Sequence, residues 1–373
     1  MVDSSTLLTS ALQALTFLFF LLIVAFLAYC LYVKHIHMKY DHIPGPPRDS
    51  FLLGHSPTFS RILKNGGNVH VKFLEWAEEY GPVWRINALH YVLVSVSYPE
   101  ATKVILMSSK YSKDAFSYKR LANLFGQRLL GNGLVTARDH EQWYKQRRIM
   151  DPAFSSLYLR GLMGTFNERA EKLMDKLADV ADNKTEANML HLVNCVTLDV
   201  IAKVLYYTKK EVDDVIGLKH EISYDDLGKL VYLSQVLKET LRLYPTAPGT
   251  SRHIAEDMVI DGIHIPGGFI ALFSSYVSGR LEKFFKDPLR FDPDRFHPDA
   301  PKPYYCYYPF SLGPRACLGK NFAQMEAKVV MAKLLQRFDF TLVPGQTFDI
   351  LDAGTLRPKS GVLCTLSHRD YKK

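Results

Sequence analysis

The chain has 373 residues, of which 47% are hydrophobic and 23% charged, an ordinary globular usage with room for one large core or two domains of usual size. Its five cysteines (Cys30, Cys195, Cys306, Cys317 and Cys364) are odd in number and irregularly spaced, with no CxxC pair, which argues against a disulfide framework or a four-cysteine zinc site and fits a reducing compartment. The formal charge of +8 is interleaved with acids and forms no long basic run, so it points weakly to acidic partners or a membrane surface and not to nucleic acid.

From Leu7 to Val33 there is no charged residue. That exceeds the roughly 20 apolar residues needed to cross a bilayer and the shorter core of a secretory signal. The run stops at Lys34, His35, His37 and Lys39, and it predicts an uncleaved anchor over 1–33. Asp3 precedes it, whereas Lys34, Lys39 and Arg48 follow, so the positive-inside bias places the bulk of the chain in the cytosol. Pro44, Pro46 and Pro47 around Gly45 can be neither helix nor central strand. They predict a stiff spacer within a linker over 34–68, ahead of a body over 69–373.

In the body, Val69–Tyr80 has helical apolar spacing and stops at Gly81-Pro82. Val83–Ile86 and Tyr91–Ser95 read as a strand pair, and Pro99 opens a helix through Met107. Arg138–Met150 and Ser155–Asp182 read as helices, and Met189–Tyr207 as an apolar, buried stretch. A strongly periodic helix is predicted over Leu227–Tyr244, ended by Pro245; strand signals follow at Val259-Ile260 and Phe269–Phe273, and a last long helix at Leu318–Arg337. The fold class expected is mainly α with a minor β-sheet.

Three motifs stand in order along the chain. Trp143 and Arg147 are one turn apart in Trp143-Tyr144-Lys145-Gln146-Arg147-Arg148. Glu239 and Arg242 share one helix face between apolar flanks, and Pro293-Asp294-Arg295-Phe296 follows. The last is Phe310-Ser311-Leu312-Gly313-Pro314-Arg315-Ala316-Cys317-Leu318-Gly319, directly before a predicted helix. These resemble the WxxxR, ExxR, PxRF and FxxGxRxCxG segments of the cytochrome P-450 family, and the proline spacer behind an anchor resembles the hinge of its microsomal members.

The resemblance implies a P-450 fold, haem b as cofactor, and Cys317 as the axial ligand of its iron. Thiolate ligation favours O–O cleavage, and the N-terminus of the following helix would stabilise the thiolate. Phe310 would shield the sulfur, and Gly313 and Gly319 would let backbone approach the flat macrocycle. Arg315, Trp143, Arg147 and Arg252 would meet its propionates. Glu239, Arg242 and Arg295 would form a buried, structural ion-pair network bracing the haem loop. Lys145 and Arg148 lie either on a face that docks an acidic reductase or on a plainly solvated one.

Further blocks resemble the family's sterol hydroxylases: His42–Arg48 with Ser50–His55, Tyr232–Glu239, Ala300–Pro303, and Phe322–Glu326 through Pro344–Gln346. These imply a sterol substrate, O2, an NADPH-dependent flavoprotein reductase as partner, membrane lipid as surroundings and an endoplasmic reticulum location. A thiol-nucleophile hydrolase, which needs a His–Asp or His–Asn pair at the cysteine, finds no support in this loop.

The resemblance breaks near 204–212. An apolar segment through Leu205-Tyr206-Tyr207 runs straight into Glu211–Gly217, which resembles the stretch shortly before the ExxR helix. No segment corresponds to the family's substrate-covering helices or to its long distal helix with an acid–alcohol pair, so no catalytic distal residue is assigned. The expectation is a truncated P-450 fold, from a splice variant or an incomplete gene model. Such a chain is either a sterol monooxygenase by family or a membrane-tethered form without turnover.

Overall fold

The computed structural model describes residues 4–123, 130–189, 201–347, 349–352 and 354–370. Helices dominate, and the strands fall into four small sheets. The expected stretch at Met189–Tyr207 lies mostly outside the described residues.

Helix α1 (Ser4–Tyr40) runs past Val33 without a break, and its last turns pack onto the body. Val33 and Tyr40 are buried there, the Tyr40 hydroxyl donates to the Gly267 carbonyl at 2.8 Å, and His37 Nε2 lies 2.9 Å from the Leu89 carbonyl. The proline segment also lies against the body, because the Arg85 amide donates to the Pro44 carbonyl at 2.8 Å. A side chain at Gly45 would meet the Arg85 backbone at 2.8 Å, which explains a glycine between the prolines. Part of α1, Leu8–Tyr40, is long and apolar enough to cross a membrane.

Helices α2 (Ser56–Lys64) and α3 (Val69–Tyr80) precede strands β1 (Val83–Ala88) and β2 (Tyr91–Val96). These pair antiparallel, and β2 then pairs parallel with a strand far along the chain, Phe269–Ser274. In chain order the remaining strands are β3 (Ala187–Asn188), β4 (Gly249–Ile254), β5 (Met258–Ile260), β6 (Ile263–Ile265), β7 (Phe269–Ser274), β8 (Phe338–Leu342), β9 (Ile350–Asp352), β10 (Leu356–Pro358) and β11 (Leu363–His368). The main sheet has the order β1-β2-β7-β4, with β4 antiparallel to β7 in the register Gly249↔Ser274 to Ile254↔Phe269. This register carries Arg252 beside the sheet core. The β5–β6 hairpin closes on Asp261-Gly262, both left-handed, the sequence that a tight two-residue turn demands.

The other helices are α4 (Pro99–Leu106), α5 (Ala115–Asn123), α6 (His140–Met150), α7 (Ser156–Gly161), α8 (Met163–Ala178), α9 (Ile201–Val215), α10 (Tyr224–Lys229), α11 (Val231–Leu243), α12 (Ser275–Ser278) and α13 (Lys320–Arg337). Helix α6 starts at His140, not Arg138, because the Asp139 carboxylate accepts the Gln142 amide and caps it. Two predicted helices are each divided. Ser155–Asp182 breaks at Leu162, flanked by Gly161 and Gly164, both poor helix formers. Leu227–Tyr244 breaks at Leu230, whose backbone leaves the helical region. The cause there is tertiary: the Glu211 carboxylate from α9 accepts the amides of Tyr232 (2.6 Å) and Leu233 (2.8 Å), capping α11 from outside.

The core has three parts. One lies among α8, α9, α11 and α13, around Ala170, Met174, Leu233 and Leu335. A second lies on the main sheet, with Val94, Ile105, Ala271 and Phe273. The third is aromatic, with Trp76 and Trp84 at 5.5 Å between ring centroids.

Candidate functional site

The ExxR helix, α11, carries Glu239 and Arg242 into a fully buried setting. Arg242 meets Glu239 through two parallel bonds of 2.7 Å, and Arg242 Nη1 also donates to the carbonyl of Pro288 at 2.7 Å and Nη2 to that of Arg290 at 3.1 Å. The Asp292 amide donates to Glu239 at 2.7 Å, and Arg295 Nε stands 3.5 Å from the same carboxylate. Structure thus brings Glu239, Arg242 and Arg295 together around the Pro293–Phe296 turn. Every formal charge inside this clamp has an opposite charge beside it, as a buried pair requires.

The cysteine loop follows. Ser311 and Gly313 both take left-handed backbone, and the Cys317 amide donates to the Phe310 carbonyl at 2.8 Å, folding the loop back on itself. Cys317 is exposed, just before α13, whose N-terminus has no side-chain cap. Its first amides, which lack intrahelical partners, therefore have no side-chain acceptor at the cap. At Gly313 the close approach is to protein: an added Cβ would sit 2.2 Å from the Leu106 carbonyl oxygen, at the end of α4. Gly319 has ordinary backbone and only Phe154 within reach of an added Cβ, at 3.7 Å.

Helix α6 braces this loop. Trp143 is buried and carries the Arg315 guanidinium over its ring at 4.0 Å, while Arg315 donates to the Ala137 carbonyl at 2.8 Å. Arg147 donates to the Ala316 carbonyl at 2.9 Å and to Asp151 at 2.6 Å. Arg147 is thus committed to the loop backbone, whereas Arg315 is half-buried over the Trp143 ring. Lys145 and Arg148 are exposed.

Arg252 on β4 is 1% exposed. Its Nη1 donates to Thr250 Oγ1 and the Ser251 carbonyl, both at 2.8 Å, but Nε and Nη2 have no partner. Tyr118 from α5 shares Thr250 at 2.9 Å and lies under the Lys113 ammonium, 4.5 Å from ring centre to Nζ. Lys113 is buried and its Nζ donates to the Val135 carbonyl. The nearest acid, Asp114, is taken up by Ser251 and the Ser117 amide (2.7 Å). Among the described residues no carboxylate lies within 4 Å of Lys113, Arg252 or Arg315. Burial pushes all three below their ordinary values, Lys113 down to about 7 and Arg315 to about 10, and the neighbouring cations add to the shift of those two.

Sequence reasoning named Cys317, Arg315, Trp143, Arg147 and Arg252 as site residues. It missed Lys113, Tyr118, Thr250, Ser251 and Asp114, which belong to no motif. The one signal was an adjacent Lys113-Asp114 pair in an otherwise modestly polar stretch.

Comparison with known proteins decides the family. The cytochrome P450 family model matches residues 44–209 and 207–365. The chain belongs to that family. It is 40% identical over 166 residues to rat cytochrome P450 4V2 (43% of this chain, 31% of the relative). It is 41% identical over 134 residues to Drosophila melanogaster cytochrome P450 4d2 (35% and 27%) and 36% over 157 residues to rat cytochrome P450 4B1 (41% and 31%). Each match thus spans about a third or less of the relative's length.

P450 proteins use haem b. The donor set fits it: a lone exposed thiol at a helix start for the iron, and for two carboxylates the buried cations Lys113 and Arg252, the latter with two unpartnered nitrogens, beside the half-buried Arg315. Among the described residues no other group of three or more His, Cys, Asp or Glu could hold a metal.

Proposed function

We propose that the chain is a membrane-anchored haem-thiolate monooxygenase of the cytochrome P450 type, with Cys317 as iron ligand and a sterol as substrate, its sequence blocks resembling those of cholesterol 24-hydroxylase. The observation that carries the haem reading is the unanswered charge of the buried Lys113 and Arg252 and the half-buried Arg315 at the exposed Cys317 loop. When bound, haem b supplies the one-electron and O2 chemistry.

The protein's own residues hold and tune it. Cys317 would hold the iron as a thiolate, and the amides at the start of α13 would stabilise its charge. Arg252 and Arg315 would take the propionates, and Trp143 holds Arg315 in place through its ring face. Arg147 fixes the loop through Ala316, and the Glu239–Arg242–Arg295 clamp holds the segment behind it. Electrons from NADPH would arrive through a flavoprotein reductase, for which Lys145 and Arg148 offer exposed positive charge. The apolar span in Leu8–Tyr40, followed by Lys34 and Lys39, supports a single-pass anchor in the endoplasmic reticulum with the body in the cytosol.

One observation favours a second reading, haem binding without turnover. The family match falls into two stretches that meet at 207–209, and α9 runs through that meeting point as one helix. The family's distal segment then has no counterpart, and water would reach the distal side of a bound haem.

The test is the reduced, carbon-monoxide difference spectrum of membranes holding the chain, beside C317S. A thiolate-type Soret band in the wild type and none in C317S is expected; no band in well-expressed wild type contradicts the haem reading. NADPH consumption and sterol product with added reductase then separate turnover from binding alone.

A further inference from the structure

Lys113 belongs to the unanswered cluster above, and among the described residues it is a buried lysine with no carboxylate within ion-pair distance. It comes from the loop before α5 and is 8% exposed. The groups facing it are Tyr118 on α5, Arg252 on β4, Arg315 from the Gly313–Arg315 turn and the Val135 carbonyl, which accepts from its Nζ; the acids of the cluster, Asp114 and Asp139, act on Arg252 and Arg315. Both acids are occupied: Asp114 by Ser251 and Ser117, and Asp139 by the Gln142 amide. Arg138 donates to the Lys113 carbonyl at 3.3 Å and adds a further cation nearby. Two guanidiniums cannot shed their protons at ordinary pH, whereas an ammonium can. In the empty protein, repulsion and burial therefore fall on Lys113, the one member of the trio able to relieve them by losing its proton. An arriving carboxylate reverses the balance by supplying the missing countercharge.

We propose that Lys113 makes haem loading proton-coupled: neutral in the empty protein, it takes up one proton from solvent when a propionate seats beside Tyr118 and Arg252. The proposal rests on the haem reading above. Only one bond forms in this step, between the amine nitrogen and a proton drawn from water or buffer, and no electron moves.

The sign follows from the group's folded value of about 7. Below pH 7 the ammonium already exists and binding needs no proton. Above pH 7 each added pH unit weakens binding through this residue by up to about tenfold. Loss of the Cys317 proton works the other way in every variant, so the informative quantity is the ratio of wild type to a permanently charged variant.

The experiment titrates the haem-free full chain in detergent with hemin between pH 6 and 8.5, following the Soret band and protein fluorescence. Wild type, K113R and K113M are compared, and proton uptake is read with an indicator dye in weak buffer at pH 8. The expected result is a ratio of dissociation constants, wild type over K113R, that is flat below pH 7 and rises about tenfold per unit above it. Uptake in wild type should exceed that in K113R and K113M by close to one proton. The dimethyl ester of hemin, lacking both carboxylates, should abolish the difference. A constant ratio with equal proton uptake, while hemin still binds, would overturn the proposal and leave the haem reading standing. Failure of all three proteins to bind hemin at any pH would overturn both.

Discussion

Two buried charge clusters lie close to the cysteine loop, and they differ in one respect. In the clamp around α11, Glu239 answers Arg242 with two bonds and Arg295 at longer range, and backbone carbonyls take the other Arg242 donors, while Arg295 Nε has the Glu239 charge beside it but no hydrogen bond. In the cradle around β4, Lys113, Arg252 and Arg315 face one another with no carboxylate among the described residues within ion-pair distance, and two nitrogens of Arg252 have no partner. A saturated cluster already spends its charge on structure. An unsaturated one destabilises the protein that carries it, and the missing countercharge is its binding capacity.

The comparison breaks most visibly if the clamp is cut. E239A leaves Arg242 buried and uncompensated and should cost roughly 3–5 kcal/mol of stability, read from urea unfolding of the haem-free protein. A loss under 1 kcal/mol would place the clamp with solvated surface pairs.

The cradle should respond to pH in the opposite sense from a salt bridge. The Lys113 value is lowered in the folded protein, so the unfolded chain holds more protons between about pH 7 and the ordinary lysine value. Stability of the haem-free protein should therefore rise with pH through that window, by at most about 1.4 kcal/mol per unit, and K113M should flatten the rise. The same rise in wild type and K113M would assign it to another group.

The smallest effect concerns the join between the two. Glu211 caps α11 from α9, and E211A should lower stability by about 1 kcal/mol without changing hemin affinity. Unfolding and hemin titrations on one preparation read both quantities, and a larger change in affinity than in stability would tie α9 to the site.

These clusters were unequally legible in the sequence. The clamp and the cysteine loop are local: Glu239 and Arg242 are one turn apart, and Gly313, Arg315 and Cys317 fall within five residues. The cradle joins Lys113, Arg252 and Arg315 through the β4–β7 register and the turn onto α4, and nothing in the order of residues announces that meeting. The glycine of the loop illustrates the same limit. Gly313 was expected to admit a macrocycle, and its nearest neighbour in the protein is the Leu106 backbone. The break at Leu230 was hidden for a related reason: the apolar period runs through it, and the force that breaks it comes from Glu211 on another helix. The apolar run was readable, but the helix's continuation to Tyr40 and its seat on Leu89 and Gly267 required the sheet.

The contrast between saturated and unsaturated charge is tested most directly by the unfolding midpoint of R252M with and without hemin, beside wild type and E239A. The account predicts that haem-free R252M unfolds no lower than wild type, because a buried unpaired charge has been removed, while E239A unfolds far lower. Hemin should raise the midpoint of wild type and scarcely that of R252M. An R252M protein destabilised as severely as E239A, or stabilised by hemin as fully as wild type, would contradict the assignment of the β4 cluster to ligand binding.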